Sequence, residues 1–322
     1  MAIQHSMSAP IGETRGATSS RRQALALMLG AWGWLPEAPA AADADAPVRM
    51  AVSESMVVDV NLNDARAAMR LWIERIMTDL NVVIELAPQV FDSTEEILRR
   101  VRSGQLDAVA LNIVEYRQIA DLLDPSELTV GAGASGPDQY VLLVKRDGEF
   151  RQLGNLRGRR LCVLKAPKMC VAPAWLSTLL DKAHLGSSEE FFGSAVTETK
   201  VSQVVLPVFF GQADACLTSK RGFETMCELN PQVAKELTVI ATSPSMVACF
   251  HAFRKNYHNP SLERFIKVHS TLLASPSGQQ LATLFQFDKL TVRDAGCLAS
   301  ALSVLDAAER LRNRPGAGSR KG

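Results

Sequence analysis

The sequence has almost no excess of charge of either sign. Its 322 residues include 35 Lys and Arg and 34 Asp and Glu, which gives a formal net charge of +1 at pH 7. Non-specific binding to nucleic acid or to an anionic membrane requires a strongly positive electrostatic potential over the protein surface. We therefore expect neither nucleic acid nor a charged membrane surface as a partner.

Signatures of catalysis and of metal binding are also lacking. The sequence contains neither a Gly-x-Ser-x-Gly nor a His-Glu-x-x-His motif, and its five histidines are scattered. No two of its six cysteines have the Cys-x-x-Cys spacing of a zinc or redox site. We expect a protein that is not an enzyme and that holds no cofactor or metal ion.

The N-terminus predicts an export signal. Arg21 and Arg22 precede the apolar stretch 24–35, which is shorter than the roughly 20 residues of a membrane span. Small residues with an Ala-x-Ala pattern follow, as at a signal cleavage site. We assign residues 1–44 to an export signal and linker, and the arginine pair resembles a twin-arginine signal. The protein is then expected in the periplasm.

Export would carry the cysteines into an oxidising compartment, where disulfides can form. Several cysteines lie inside apolar runs such as "LCVL" and "ADACL", which favours buried thiols. The pairing of the cysteines stays open at this point.

From residue 48 onward, short apolar runs alternate with amphipathic stretches. "VRMAVSE" predicts a strand, and the next stretch predicts a helix whose apolar residues recur at helical spacing, namely Ala68, Leu71, Trp72, Ile76 and Leu80. "NVVIELAPQV" predicts a strand, "STEEILRRVRSGQL" a helix with a capping box that closes at Gly104, and "DAVALN" a buried strand. This order predicts a parallel sheet covered by helices.

A second α/β unit follows the Gly-rich loop 131–138. "QYVLLVKRD", "LCVLKAP" and "ADACLT" predict strands, and the spacing in "TETKVSQVVLPVFFGQ" predicts a helix that ends at Gly211. After it, "ELTVIATSPSMVACFHAFRK" predicts two extended runs, and the region 261–311 is predicted to be mainly helical with a break at Pro276.

Polar residues follow four of the predicted strands, two in each half of the chain. In open α/β sheets, ligands bind beyond the carboxyl ends of parallel strands, where helix N-termini present free N–H groups. A solvated helix cap explains any one cluster, but four clusters at equivalent positions favour a binding cleft. The residues expected to line it are Ser53, Ser55, Asn112, Tyr116, Lys168, Ser219 and Lys220. We expect Lys168 and Lys220 to pair with an anionic group of the ligand.

The order of these segments resembles a known family. "SGQLDAVALN", "LGNLRGRRLCVL", "VLPVFFGQADACLTS" and "LTVIATSPS" are similar to segments of periplasmic solute-binding proteins of the type II fold. The similarity is to the group of phosphate, phosphite and phosphonate transport components. "LRGRRLCVL" is similar to the family's Asp-Leu-x-Gly-Lys turn before a buried strand, with Asn155 in place of the Asp.

The resemblance implies a two-lobed α/β fold of mostly parallel sheets flanked by helices, with a ligand cleft between the lobes. It implies lobe 1 at 48–137 plus 248–311 and lobe 2 at 138–247, joined by two hinge crossovers, and we expect 312–322 to be a disordered tail. It also implies that the protein captures a small, anionic ligand for an ABC transporter permease or a membrane sensor. We expect a monomer.

One segment departs from the pattern of the phosphonate-binding members. They typically place a Ser- and Thr-rich turn after the strand equivalent to "LCVL", whereas this chain has "KAPKMCVAPAWL". That segment contains no Ser or Thr, and its prolines remove N–H donors. Lys165 and Lys168 could still contact an anion, whereas Met169 and Cys170 would suit an apolar group or a soft metal.

Two alternatives to solute transport stay open. The same fold family hosts enzymes, and Glu54, Glu115 and Asp138 could form a carboxylate set in the cleft. Binding of a metal or a metallophore is suggested by Met169, Cys170 and His251.

Overall fold

The computed structural model describes residues 47–57, 62–80, 89–91, 93–133, 136–257, 273, 276–284 and 287–314. Four sequence predictions fall wholly or mostly outside these ranges: the export signal, the strand in "NVVIELAPQV", the helix before the break at Pro276, and the tail. Within the described residues, none of the helices combines the length and the hydropathy needed to cross a bilayer.

Strands and helices alternate along most of the described chain. The strands are β1 (Met50–Ser53), β2 (Gln89–Phe91), β3 (Ala108–Asn112), β4 (Leu123–Ala132), β5 (Tyr140–Lys145), β6 (Arg160–Leu164), β7 (Ser194–Glu198), β8 (Ala215–Ser219), β9 (Leu237–Thr242), β10 (Cys249–Arg254) and β11 (Lys289–Arg293). The helices are α1 (Leu62–Leu80), α2 (Thr94–Arg102), α3 (Ile113–Ile119), α4 (Ala172–Lys182), α5 (Ser188–Phe191), α6 (Val201–Phe209), α7 (Lys220–Leu229), α8 (Pro231–Glu236), α9 (Pro276–Leu284) and α10 (Ala299–Arg312).

The strands form two sheets, and each sheet is the centre of one lobe. The sheet of lobe 1 has the order β11-β4-β10-β3-β1-β2, and the sheet of lobe 2 has the order β7-β6-β8-β5-β9. The two-lobed α/β class is confirmed, but the sheets are mixed rather than mostly parallel. Only the pairs of β1 with β2 and β3, and of β6 with β7 and β8, are parallel among the described strands. The strands that follow each passage between the lobes, β5 and β10, run antiparallel to both of their neighbours.

Helix ends follow the local signals in the sequence. Ser93 Oγ accepts a hydrogen bond from the backbone N–H of Glu96 at the start of α2, as the capping pattern predicts. Gly104 after α2 and Gly211 after α6 have φ angles of +68° and +73°, a conformation in which a side chain would be strained. The predicted ends of both helices are confirmed.

The buried face of α1 differs from the predicted one. Met69 and Ile73 are buried, whereas Leu71 is 51% exposed. The helical spacing of the apolar residues placed Leu71 on the face that packs into the core. That prediction is wrong, because the buried stripe runs through Met69 and Ile73. The side chains of the other residues predicted for that face, such as Trp72 and Ile76, lie outside the described part.

Several elements were not predicted, among them β4, α8 and β11. In β4, "LDPSELTVGA" opens with a charged and proline-containing stretch that hides the alternation of a strand. Strand β11 is a half-exposed edge strand within the region predicted to be mainly helical. Edge strands need little apolar alternation, so such short segments give a weak sequence signal.

Each lobe contains a Gly-x-x-Asp segment, 104–107 in lobe 1 and 211–214 in lobe 2. The aspartate of each segment joins the starts of two neighbouring strands. In lobe 1, Asp107 Oδ2 accepts from the backbone N–H of Arg49 at 3.1 Å, and the backbone N–H of Asp107 donates to Arg49 O at 2.9 Å. In lobe 2, Asp214 Oδ2 accepts from the backbone N–H of Arg160 at 2.8 Å, and the backbone N–H of Asp214 donates to Arg160 O at 3.1 Å. Asp107 and Asp214 therefore occupy equivalent positions in the two sheets and make the same pair of backbone contacts.

The chain passes between the lobes twice, from β4 to β5 and from β9 to β10. Asp138 in the first passage and Met246 in the second form an antiparallel bridge, with N–O distances of 3.1 and 2.9 Å. Ser243 Oγ accepts from the backbone N–H of Tyr140 at 2.8 Å. These bonds hold the two passages side by side.

The last helix contacts both lobes. Helix α10 packs against α4 of lobe 2, where Arg314 beyond its end forms an ion pair of 2.7 Å with Asp181. On its other side, Glu309 forms an ion pair of 2.7 Å with Arg117 on α3 of lobe 1.

Candidate functional site

The carboxyl ends of β1 and β3 bring four polar side chains together. Ser53 Oγ donates a hydrogen bond to one oxygen of the Glu115 carboxylate, and the backbone N–H of Asn112 donates to the other at 3.0 Å. Asn112 Oδ1 in turn accepts from the backbone N–H of Glu115 at 3.1 Å, so the two side chains cap α3 reciprocally. Asn112 Nδ2 donates to Ser55 Oγ at 2.9 Å. We call Ser53, Ser55, Asn112 and Glu115 the lobe 1 network.

Ser55 is the member of the lobe 1 network that can serve a ligand. Ser53 and Asn112 are buried, whereas Ser55 is half-exposed. Ser53 donates its proton to Glu115, and Ser55 accepts from Asn112 while keeping its own hydroxyl proton. That proton can go to Ser53 Oγ, 3.0 Å away, or to an acceptor in the cleft.

Tyr116 lies in the packing of lobe 1. It is buried, and its ring meets the ring of Phe250 edge-on with the centroids 5.2 Å apart. Burial raises the pKa of the Tyr116 hydroxyl, and the nearby thiol of Cys297 adds to the effect. Tyr116 therefore packs in the core of lobe 1, whereas its sequence position predicted a place in the cleft with Ser53 and Ser55.

Lys168 lies where the lobes meet. It belongs to the 3-10 turn Pro167–Met169 after β6, and its Nζ is 3.4 Å from Asp138 Oδ1 in the passage between β4 and β5. The Lys168 and Asp138 side chains are only 13% and 15% exposed. The Tyr140 hydroxyl donates to Lys168 O at 2.7 Å, so β5 fixes the turn that carries the ammonium group.

Burial controls the titration of the groups beside Lys168. Burial raises the pKa of Asp138, and the positive charge of Lys168 opposes this effect without cancelling it. Burial also raises the pKa of Tyr140 well above its ordinary value, so its hydroxyl stays protonated and remains a donor.

Apolar and thiol groups occupy the interlobe contact beside Lys168. Met169 is buried, and Cys170 packs against a cluster in lobe 1 that contains Val52, Met56 and Cys249. The Cys170 thiol donates to the backbone oxygen of Ala248 at 3.7 Å. The segment "KAPKMCVAPAWL" therefore presents the sulfur atom of Cys170 at this contact, and not a hydroxyl group.

Ser219 and Lys220 lie at the start of α7 in lobe 2, Ser219 as the N-cap and Lys220 as the first helical residue. Ser219 Oγ accepts from the backbone N–H of Gly222 at 3.1 Å, which caps the helix. Lys220 Nζ is 3.4 Å from Gln139 Oε1 and 3.8 Å from Glu224 Oε1. Ser219, Lys220 and Asp138 line one cavity of about 220 Å³ against the passage between β4 and β5.

A second cavity of about 560 Å³ lies between α7 of lobe 2 and the α9–β11 region of lobe 1. Its wall combines polar and apolar side chains, Ser219, Thr225, Met226, Gln279, Thr283 and Phe287 among them. At its edge Arg221 forms an ion pair of 2.7 Å with Asp288, which joins the two lobes.

The predicted site residues therefore fall into separate groups. Ser53, Ser55 and Asn112 share the lobe 1 network, whereas Ser219 and Lys220 share a cavity with Asp138, which links them to Lys168. Among the described residues, no three His, Cys, Asp or Glu side chains lie close enough together to hold a metal ion.

Sequence reasoning missed three residues of the interlobe contact. Tyr140 is the first residue of a buried strand, so its sequence position predicts a core residue. Its hydroxyl nevertheless donates a hydrogen bond to Lys168 O. Gln139 lies beside it in the passage, and Asp288 precedes an edge strand that was not predicted. Only the polar composition of the passage between β4 and β5 could have indicated the first two.

Comparison with known proteins identifies the family. Residues 59–295 match the family described as ABC transporter, phosphonate, periplasmic substrate-binding protein. No curated protein matches the chain in sequence.

Solved structures of low sequence identity share the fold. A binding protein component of an ABC phosphonate transporter from Pseudomonas aeruginosa is 13% identical, with a TM-score of 0.55 over 82% of this chain and 87% of that one. A protein from Xanthomonas citri bound to ATP is 12% identical, with a TM-score of 0.57 over 83% of this chain and 99% of that one. PhnD1 from Prochlorococcus marinus in complex with methylphosphonate is 14% identical, with a TM-score of 0.53 over 83% and 99%.

These likenesses establish the two-lobed fold, and the family match covers well over half of the sequence. The family consists of substrate-binding proteins that work in the periplasm with a membrane transporter. The chain belongs to the periplasmic phosphonate substrate-binding family of ABC transporters, and its role is to bind a small ligand for such a transporter.

Proposed function

We propose that this protein binds a small anionic solute between its lobes and delivers it to the permease of an ABC transporter. The observation that carries the proposal is the position of Lys168. Its ammonium group is mostly buried at the interlobe contact and is paired with a carboxylate from the passage between the lobes. An anion that contacts a buried cation next to a hinge binds the closed state more tightly than the open state.

The lobe boundaries and the hinge form part of the proposal. We take lobe 1 as 48–137 plus 248–311 and lobe 2 as 138–247, with the hinge at the paired residues Asp138 and Met246. The bridge joins the two passages at one point, so a rotation of the backbone there would turn one lobe against the other. A ligand that contacts both lobes would then stabilise the closed state by its differential affinity.

The anion would take over a charge that Asp138 now balances. At 3.4 Å the pair of Lys168 and Asp138 is a long contact, and the raised pKa of Asp138 indicates that its carboxylate is poorly solvated. A ligand oxyanion at Lys168 would form a charge-assisted hydrogen bond, with Ser55 and Lys220 as further donors. Protonation or displacement of Asp138 would remove the competing carboxylate.

The relatives and this chain together support a proposal for the ligand class. The ligands named with two of the similar structures, methylphosphonate and ATP, both carry a phosphorus oxyanion. We propose a phosphorus oxyanion as the group that binds near Lys168. Met169 and Cys170 lie in the segment where the family typically has Ser and Thr, and their side chains favour an organic substituent over bare phosphate.

Several finer points belong to the same proposal. We propose a monomer that is exported by the twin-arginine route, that does not catalyse a reaction and that does not bind nucleic acid. A membrane sensor in place of the permease would use the same closed state. The carboxylates Glu115 and Asp138 are engaged with Ser53 and Lys168, which favours a structural role over general acid–base catalysis.

The experiment is isothermal titration calorimetry of the purified protein with methylphosphonate, 2-aminoethylphosphonate, phosphate and sulfate. For the ligand that binds, Lys168→Ala should weaken affinity at least about tenfold, since a charged hydrogen bond contributes about 1.5–3 kcal/mol. Lys168→Ala combined with Lys220→Ala should abolish binding of the anion. Lys182→Ala, an exposed lysine at the end of α4, is the matched control and should leave affinity unchanged.

An equal loss with Lys182→Ala would show that the effect comes from overall charge and not from the site. Unchanged affinity in the Lys168 variant would remove the interlobe contact as the ligand site.

A further inference from the structure

Two cysteine thiols from different lobes meet at the interlobe contact. Cys170 of lobe 2 follows the 3-10 turn Pro167–Met169, and Cys249 of lobe 1 is the first residue of β10. The Cys170 side chain packs against the buried cluster of lobe 1 that contains Cys249, which brings the two thiols within reach of each other. Cys170 also donates to the backbone oxygen of Ala248, next to Cys249, at 3.7 Å. Both cysteines are free thiols in this structure.

The surroundings of the pair distinguish it from the other cysteines. Cys162 and Cys216 also face each other, but they lie on the neighbouring strands β6 and β8 inside lobe 2. A bond between them would leave the two lobes free to move. Cys227 on α7 is half-buried within one lobe. Of the cysteines, Cys170 and Cys249 make the thiol contact that spans the lobes.

We propose that Cys170 and Cys249 form a reversible disulfide that locks the lobes together at the interlobe contact. The oxidant is an external disulfide, either a small molecule or a protein. The thiolate of Cys170 attacks one sulfur of that disulfide, which expels one thiol and leaves a mixed disulfide on Cys170. The thiolate of Cys249 then attacks the Cys170 sulfur and expels the second thiol. Each protein thiol loses one proton, and the two expelled thiolates take up two.

The order of attack follows from exposure. Cys170 is half-exposed, whereas Cys249 is only 8% exposed. The external disulfide can therefore reach Cys170 first, and Cys249 is already in contact to resolve the mixed disulfide. Its hydrogen bond to Cys170 and burial raise the pKa of Cys249, so Cys249 stays a thiol and does not attack the external disulfide first. A dithiol reductant reverses both steps.

The disulfide would lie next to the turn that carries Lys168 and next to the bridge between the two passages. Cys170 lies two residues after Lys168, and Ala248 lies two residues after Met246, the partner of Asp138 in the bridge between the passages. A covalent bond at this point would fix the turn that carries Lys168 against lobe 1. The lock itself needs only the two thiols, whereas its effect on solute exchange rests on the proposed function.

The test begins with protein that has been reduced and then exposed to oxidised glutathione without any solute. After blocking of free thiols and digestion, mass spectrometry should find the peptides of Cys170 and Cys249 joined, with the loss of two hydrogen atoms. Tm should rise by about 5–15 °C on oxidation and return on addition of dithiothreitol, as for a bond that closes a long loop. Cys170→Ser should abolish both changes, and Cys227→Ser should retain them.

Glutathione attached to Cys170 alone, or both thiols blocked after oxidation, would overturn the proposal. A joined peptide without a rise in Tm would overturn the lock. Because no solute is present, these results do not depend on solute binding. The effect on exchange is then measured with the solute found by calorimetry, whose dissociation should slow at least about tenfold in the oxidised protein and recover with dithiothreitol.

Discussion

Asp107 is the residue whose loss should most affect the stability of lobe 1. Its side chain is 3% exposed and accepts from Arg49 through the backbone N–H at 3.1 Å, through Nε at 2.8 Å and through a terminal nitrogen at 2.8 Å. Arg254 on β10 adds a contact of 3.4 Å. Asp107→Ala would therefore remove the group that joins the starts of β1 and β3 to the end of β10.

The size of the loss follows from the burial of the three partners. Removing one member of a buried ion pair costs about 3–5 kcal/mol, because the remaining charge is left uncompensated. The side chains of Arg49 and Arg254 are 38% and 30% exposed, so water can reach both guanidinium groups in the variant. We therefore expect the lower end of that range, about 3 kcal/mol, or a fall in Tm of roughly 6–12 °C.

Asp214 provides the matched comparison in lobe 2. It occupies the equivalent position, but it is half-exposed and accepts one backbone hydrogen bond, from Arg160 at 2.8 Å. Asp214→Ala should cost about 1 kcal/mol. Urea denaturation followed by tryptophan fluorescence measures both variants against the unchanged protein. If Asp214→Ala destabilises the protein as much as Asp107→Ala, or if Asp107→Ala costs less than about 1 kcal/mol, this reasoning is wrong.

Asp138→Asn should alter the pH dependence of stability, since burial raises the pKa of Asp138 above its ordinary 3.8 and the folded state holds this proton more tightly than the unfolded state. Stability from this group is present below pH 3.8 and is lost as the pH rises through the folded pKa, so urea titrations of the Asn variant should lack that decline. Tyr140→Phe removes the hydrogen bond to Lys168 O and should cost about 1 kcal/mol and weaken anion binding, with an unchanged circular dichroism spectrum; full affinity would contradict the role given to this bond. Gly193→Ala would place a Cβ atom 2.3 Å from the backbone oxygen of Gly158, so a loss of roughly 2 kcal/mol is expected, and an unchanged Tm would contradict it.

The sequence predicts the architecture well because its signals are local. The capping serine and the glycines at 104 and 211 determine helix ends through single backbone conformations, which a sequence records directly. The apolar runs of β3, β5 and β8 are buried on both faces and read as continuous strands. The antiparallel partners β4 and β11 escaped prediction because their pairing is decided by long-range contacts and not by their own composition.

The candidate site was less accessible to prediction, since it depends on which strand ends meet. Lys168 could be named from the sequence, but its partner Asp138 comes from the other side of the passage between the lobes. The position of Tyr116 after β3 predicted a place among the polar residues of the cleft, whereas its ring packs against Phe250 in the core. The packing of Cys170 against the cluster that contains Cys249 joins residues far apart in the chain, so their spacing carried no signal.

Native mass spectrometry of the protein purified from its own periplasm would test the central claim, that a small oxyanion is held between the lobes. We expect a bound species that leaves on denaturation and whose mass identifies a phosphorus oxyanion. It should be absent from the protein in which Lys168→Ala and Lys220→Ala are combined. A folded protein that carries no small molecule, and that none of the four calorimetry anions stabilises against heat, would contradict it.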